Sequence, residues 1–221
     1  MKAFLLAAGK GKRLLPYTHD NPKPLVKVGG ISLIENNIIK LKKANVSEIV
    51  INVHHFGEKI INLLGDGSKY GLKISYSIEE KLLGTGGGIQ NAIDKFDTPF
   101  IAISADTWTD YDFTNLKLNK DYLAHMVLIR NPSRNLSGDV YLNNGLIQEE
   151  GPHEKYTFSG VSILSPDLFD HHEFEELELW NDILRPAATK GLVSGEIYKG
   201  RFENLNTPED VERLDCILSE E

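Results

Sequence analysis

The segment Gly9-Lys10-Gly11-Lys12-Arg13 closes a short apolar run and joins two glycines to three basic residues. Glycine lets a backbone turn tightly and bring its N–H groups against phosphate oxygens, while Lys12 and Arg13 add positive charge. Arg13 can also form two parallel bonds to a phosphate. Taken alone, the same pattern describes an ordinary strand-to-helix turn with exposed basic side chains. Farther on, Asn21-Pro22-Lys23-Pro24-Leu25 sets a lysine between two prolines, which fix the backbone and aim one charge at one place. Together the two segments read as a preorganised polyphosphate clamp. The pattern is not a Walker loop, which needs Gly-x-x-x-x-Gly-Lys followed by Ser or Thr.

A second glycine segment, Leu83-Gly84-Thr85-Gly86-Gly87-Gly88, follows Glu79-Glu80-Lys81-Leu82. It lacks the last glycine of Gly-x-Gly-x-x-Gly, which disfavours a dinucleotide fold, and it offers a surface where backbone can approach a flat base or ribose. Asp106 stands at the exit of the apolar run Phe100 to Ser104, where an open sheet keeps ligand-binding carboxylates. An acid at a strand end for structural reasons has the same pattern. Hard Mg²⁺ takes one or two protein oxygens together with phosphate and water, so Asp106 calls for a weaker second ligand elsewhere. His54-His55 and His171-His172 are poor zinc ligands, because adjacent residues diverge and no partners lie at useful spacing.

The elements that must hold these residues alternate. Ala3 to Ala8, Ile49 to Val53, Ile74 to Tyr76 and Phe100 to Ser104 read as strands. Helices fall between them: one opens on the capping box Ser32-Leu33-Ile34-Glu35, one runs from about Phe56 to Leu64, and one is expected near Ile89 to Lys95. Strand and helix in this order imply a mostly parallel sheet covered on both faces, a Rossmann-like three-layer α/β/α domain. After Asp106 the texture shifts to antiparallel or mixed strands, with a hairpin at Asn143-Asn144-Gly145 and a last helix opening at Thr207-Pro208-Glu209-Asp210. One domain over residues 1–221 is expected, with a nucleotide-binding half to about 106 and a second half of mixed strands from about 107.

Bulk properties narrow the partners. With 24 basic against 32 acidic residues the net charge is −8, which argues against nucleic acid. Cys216 is the only cysteine, so the cytoplasm is the default compartment. The apolar start is shorter than the roughly 7 to 15 residues of a secretion signal, and no stretch approaches the ~20 residues of a membrane span. A monomer or weak homo-oligomer is expected.

Leu6-Ala7-Ala8-Gly9-Lys10-Gly11-Lys12-Arg13 followed by Pro22-Lys23-Pro24-Leu25 resembles the signature of sugar-phosphate nucleotidyltransferases. That resemblance implies the nucleotide-diphospho-sugar transferase fold and transfer of a nucleoside monophosphate from an NTP to a sugar 1-phosphate with Mg²⁺. Arg13, Lys23 and Asp106 would be catalytic. Leu6, Ala7, Ala8, Gly9, Gly11, Lys12, Arg13, Lys23, Glu79, Gly84, Thr85 and Gly86 would bind the nucleotide. A carboxylate at Glu79 suits a base edge that donates, as in uracil, thymine or guanine. Asn204 would join Asp106 on the metal, at a position where many relatives carry Asp. Glu203 could compensate only by facing inward, and neighbours on a strand face opposite ways.

Further segments, among them Leu64-Gly65-Asp66-Gly67-Ser68, Trp108 to Phe113 and Val193-Ser194-Gly195-Glu196, make almost the whole chain similar to the N-acetylmuramate-1-phosphate uridylyltransferases of bacterial peptidoglycan recycling. On that likeness the nucleotide is UTP and the sugar pocket takes Trp108, Asn131, Gly138, Asp139, Glu150, Ser159 and Gly160. Without it, Trp108, Tyr111 and Phe113 read as core or rim packing. Glu150-Gly151-Pro152 departs from the Glu-Lys-Pro of many relatives. Mannose- or heptose-1-phosphate guanylyltransferase is the alternative within the class, and a non-catalytic nucleotide-sugar sensor the alternative outside it.

Overall fold

Successive residues of a strand face opposite sides, so an unbroken apolar run needs a core on each side of it. The computed structural model, which describes residues 1–151, 154–169 and 176–220, supplies both cores. β1 (Lys2–Leu6) sends Ala3 and Leu5 into one core layer and Phe4 into the other. β2 (Lys27–Val28) and β3 (Ile31–Ser32) form a small hairpin ahead of α1 (Leu33–Lys43). Ser32 caps α1 as the sequence implies, accepting from the Glu35 N–H and donating to Glu35 Oε2 at 2.7 Å. β4 (Glu48–Val53), α2 (Gly57–Leu64), β5 (Lys73–Ile78), α3 (Gly84–Gln90) and β6 (Phe100–Ser104) complete the first half.

The second half holds β7 (Thr107–Thr109), β8 (Ala124–Ile129), β9 (Tyr141–Asn143), β10 (Leu146–Gln148) and β11 (Thr157–Leu164). A π-helical stretch, Leu179–Leu184, then runs into α4 (Arg185–Thr189), and β12 (Val193–Ile197), β13 (Phe202–Asn204) and α5 (Pro208–Ser219) follow. Between β9 and β10, Asn144 and Gly145 both take positive φ, the geometry that a two-residue hairpin turn demands.

Among the described residues, nine strands make one sheet in the order β5-β4-β1-β6-β11-β8-β12-β10-β9. β5, β4, β1 and β6 are parallel; β11 runs antiparallel to β6 and β8, and β12 returns parallel to β8. The change of texture after Asp106 is thus a change of strand direction inside one sheet. Ile34, Ile38 and Leu41 of α1 and Ile60 and Leu64 of α2 cover one face. Ile89 of α3 and Ala187 and Ala188 of α4 cover the other. The fold is a three-layer α/β/α domain.

Two features depart from the expectation. The helix placed near Ile89 to Lys95 begins earlier, at Gly84, and gives way to a 3₁₀ turn at Ile93–Lys95. Glycines are weak helix formers, but here Gly86 and Gly87 donate their N–H groups to Leu177 O, and this tertiary cap outweighs local propensity. β7 and β13 stand apart as a two-stranded ribbon in which Asn204 pairs with Thr107. No helix among the described residues is long and apolar enough to cross a membrane.

Candidate active site

The first loop leaves β1 and turns on Gly11, whose φ of +58° lies where side chains are disfavoured. A Cβ at Gly11 would come within 2.9 Å of the Lys23 Cβ, so the two segments of the predicted clamp are in contact. Lys23 sits in a 3₁₀ turn between Pro22 and Pro24 and is only 5% exposed. Its ammonium lies 2.7 Å from Asp106 Oδ2 and 3.0 Å from Asn204 Oδ1. Three residues far apart in sequence therefore meet around one cation, and the β7–β13 ribbon is what aligns the two oxygens.

Glu203, the neighbour of Asn204, faces away and makes two bonds to Arg213 at 2.9 and 2.7 Å. Strand alternation decides against it as a ligand. The donor pair, one carboxylate oxygen and one amide oxygen already converging on a cation, has the hard character that Mg²⁺ takes. Among the described residues no three His, Cys, Asp or Glu gather as a metal site. His54 binds Glu79 O through Nδ1, and the His55 ring lies against Phe56. His171 and His172 lie outside the described residues.

A cleft of about 330 Å³ opens over this centre. Leu6, Ala7, Ala8, Gly9, Gly11, Lys23, Glu79, Gly84 and Thr85, all assigned to the nucleotide from sequence, line it together with Asp106, assigned to the metal. Gly86 is buried beside it against Leu177 and Ile183. Arg13 is exposed in the 3₁₀ turn Lys12–Leu14, does not line the cleft and makes no ion pair with the described residues. The side chain of Lys12 lies outside what the structure describes.

Asn52, Ser104, Glu176 and Glu178 also line the cleft and were missed. Asn52 breaks the apolar run of β4, which is a readable signal. Its Oδ1 accepts from the Ala7 N–H at 2.8 Å and its Nδ2 donates to Glu79 Oε1 at 2.7 Å. The other Glu79 oxygen accepts from the Leu83 N–H at 3.1 Å, so both of its oxygens are already engaged within the protein. Glu79, 4% exposed, ties the tips of β1, β4 and β5 to the second glycine segment, and Gly88 leaves the room in which it meets Asn52.

Glu176 and Glu178 arrive from the far end of the chain. Leu177 O accepts from Gly86 and Gly87 N–H, and a Cβ at Gly84 would collide with that carbonyl. Thr85 completes the clasp by donating to Glu178 Oε2 at 2.9 Å and accepting from the Leu179 N–H at 2.8 Å. Four carboxylates and one ammonium therefore line the cleft among the described residues. A polyanion entering it needs added positive charge, from a divalent cation and from the basic first loop.

The expected sugar residues divide. Trp108 is 7% exposed and packs with Leu14, Val26 and Leu214, while Lys40 and Arg201 lie over its ring at 5.1 and 5.8 Å. It is a core residue away from the cleft, because the ribbon it belongs to is covered by α5. Asn131, Asp139 and Thr157 form a network: Asn131 Oδ1 accepts from Thr157 Oγ1, and Asp139 accepts from Asn135 Nδ2 and the Phe158 N–H. A Cβ at Gly138 would strike Lys155 and Asn131. Ser159 donates to Val127 O at 2.7 Å within the irregular stretch of β11, and Gly160, with φ +79°, lets Ser104 approach. Glu150 is exposed near the β9–β10 edge, and Pro152 lies outside the described residues.

The nucleotidyl transferase family model matches residues 2–135. An N-acetylmuramate alpha-1-phosphate uridylyltransferase of Neisseria meningitidis is 38% identical, with 94% of each chain covered. A D-glycero-alpha-D-manno-heptose 1-phosphate guanylyltransferase of Campylobacter jejuni is 27% identical over 95% of this chain and 96% of that protein. Among solved structures, HddC from Yersinia pseudotuberculosis in complex with GMP-PN superposes with a TM-score of 0.81 and 98% coverage of both chains. At 23% identity that likeness speaks for the fold alone.

Proposed function

Because the chain belongs to the nucleotidyl transferase family, we propose that it joins UMP from UTP to N-acetylmuramate 1-phosphate, giving the UDP-sugar and pyrophosphate. The observation that carries the transferase reading is the convergence of Asp106 and Asn204 oxygens on the Lys23 ammonium beside the first glycine loop. The sugar and base rest on the likeness to the Neisseria uridylyltransferase.

A phosphate oxygen of the sugar 1-phosphate attacks the α-phosphorus in line. A new P–O bond forms, the bond from the α-phosphorus to the bridging oxygen breaks, and pyrophosphate leaves with the electron pair. The nucleophile is already anionic near neutral pH, since a phosphate monoester has its second pKa at about 6, so no side chain need remove a proton. Catalysis is then positioning and charge neutralisation. Asp106 and Asn204 would hold a Mg²⁺, which when bound would supply positive charge to the phosphates. Lys23 turns from those oxygens to the triphosphate, and Arg13 swings in from the surface. Thr85 and Gly84 support the base, and Glu79 keeps the Ala7 and Leu83 segments in place around it. Use of an NTP, with Cys216 as the one cysteine, fits a cytoplasmic enzyme.

Pyrophosphate release from ATP, CTP, GTP, UTP and dTTP, each with N-acetylmuramate, N-acetylglucosamine, mannose and heptose 1-phosphates, tests the proposal. UTP with N-acetylmuramate 1-phosphate should give the highest kcat/KM. Preference for GTP with mannose or heptose 1-phosphate would transfer the assignment to the guanylyltransferases, and silence with every pair would overturn the proposal and favour a nucleotide-sugar sensor.

A further inference from the structure

An asparagine at a cation site can turn either end of its amide inward, and only the oxygen end serves. The hydrogen bonds around Asn204 dictate the orientation. Its backbone carbonyl can only accept, so the atom of the Asn206 side chain 2.8 Å away is Nδ2. The same Nδ2 lies 3.2 Å from the Asn204 side chain, whose facing atom must then be Oδ1. Lys23 Nζ, which can only donate, meets that oxygen at 3.0 Å from the cleft side. Two obligatory donors agree.

Asn206 is itself fixed. It is buried, and its backbone N–H donates to Asp210 Oδ2 at 2.9 Å. Arg134 pairs with the same carboxylate oxygen at 2.7 Å and donates through its other nitrogen to Asn204 O at 2.6 Å. The start of α5 therefore braces the end of β13.

We propose that Asn206 is a positioning residue that keeps the Asn204 amide oxygen-inward. The inference rests on the reading of Asp106 and Asn204 as the metal pair. A carboxylate at position 204 would need no such keeper, since both of its oxygens accept. The importance of residue 206 thus depends on what stands at 204.

Mn²⁺ alone, titrated into the full chain and followed by the EPR signal of the free ion, tests this in six proteins: wild type, Asn204→Ala, Asn204→Asp, Asn206→Ala, Asn206→Ser and the double variant that combines Asn204→Asp with Asn206→Ala. Thermal melting confirms that each is folded. Asn206→Ala should weaken Mn²⁺ binding by roughly 10- to 100-fold when Asn204 is present, the usual effect of losing an outer hydrogen-bond partner. The same deletion in the Asn204→Asp background should change affinity by no more than about 2-fold, the ordinary error of additivity. Asn206→Ser, which keeps a donor and fills part of the space, should fall between wild type and Asn206→Ala. Equal losses in the two backgrounds, or no loss in either, overturn the positioning role while leaving the metal pair intact. Unchanged affinity in Asn204→Ala overturns the metal pair, and the inference with it.

Discussion

Gly11 and Lys23 are shaped to each other, and a methyl group at position 11 meets two obstacles. The backbone there has φ +58°, and the Lys23 Cβ stands 2.9 Å from where the new carbon would be. Gly11→Ala should cost roughly 1–3 kcal/mol in urea unfolding and displace the ammonium from its two oxygens. Asp106→Ala and Lys23→Met remove groups that the proposed reaction uses for charge neutralisation. Each should lower kcat by at least about 100-fold in the pyrophosphate assay while far-UV dichroism is unchanged. Near-normal turnover in either would remove that residue from the mechanism. Lys23 and Asp106 were legible because proline on both sides of a lysine and an acid at a strand exit are local signals. Asn52 was legible in principle, as a polar residue inside an apolar strand. Glu178 was not: it reaches Thr85 across 93 positions, and no spacing in the chain announces a contact made by tertiary packing. Trp108 misled for a related reason, since an aromatic side chain looks alike in sequence whether it lines a pocket or lies under a helix.

At the scale of elements, two clasps hold the cleft. One is the start of α5, where Thr207 accepts from the Asp210 N–H and Asp210 accepts from Arg134 and the Asn206 and Thr207 N–H groups. Burial alone would raise the Asp210 pKa, but those hydrogen bonds outweigh it and hold the carboxyl at about 2. The folded pKa is thus below the unfolded one. Between about pH 4 and pH 2 the unfolded chain binds more protons, so the stability from Asp210 is present above that window and is lost as pH falls through it. Asp210→Asn should lower stability at neutral pH by about 1–2 kcal/mol and flatten its rise across the acid window, which paired urea titrations would measure. The other clasp joins α3 to residues 177–179. Thr85→Val leaves the Leu179 N–H without its acceptor, at a cost of about 1–3 kcal/mol, and hydrogen exchange at Leu179, Gly86 and Gly87 should quicken together. Exchange confined to Leu179 would mean that Thr85 does not hold the clasp. The sequence announced α5, whose cap is written in Thr207-Pro208-Glu209-Asp210. It could not announce the start of α3, because the carbonyl that caps those glycines comes from Leu177.

For the whole molecule, the junction between halves is an ordinary strand pair, β6 beside β11, with no change of core. Unfolding should therefore be one transition. Trp108 reports on the cluster under α5, and Trp180 packs against the opposite layer. Single-tryptophan variants Trp108→Phe and Trp180→Phe should give the same urea midpoint by fluorescence, coincident with far-UV dichroism. Separate midpoints would mean that the two clusters unfold independently. Strand alternation and helix caps made the parallel half readable, whereas the return of β12 beside β8 depends on long-range pairing that local pattern does not encode. Lys23 meets Asn204 across 181 positions. Such a contact closes a very long loop and forms late. Helix signal should return early when the denatured chain is diluted from urea, while the capacity to release pyrophosphate waits for the two ends of the chain to find each other, so the first turnover marks a finished molecule.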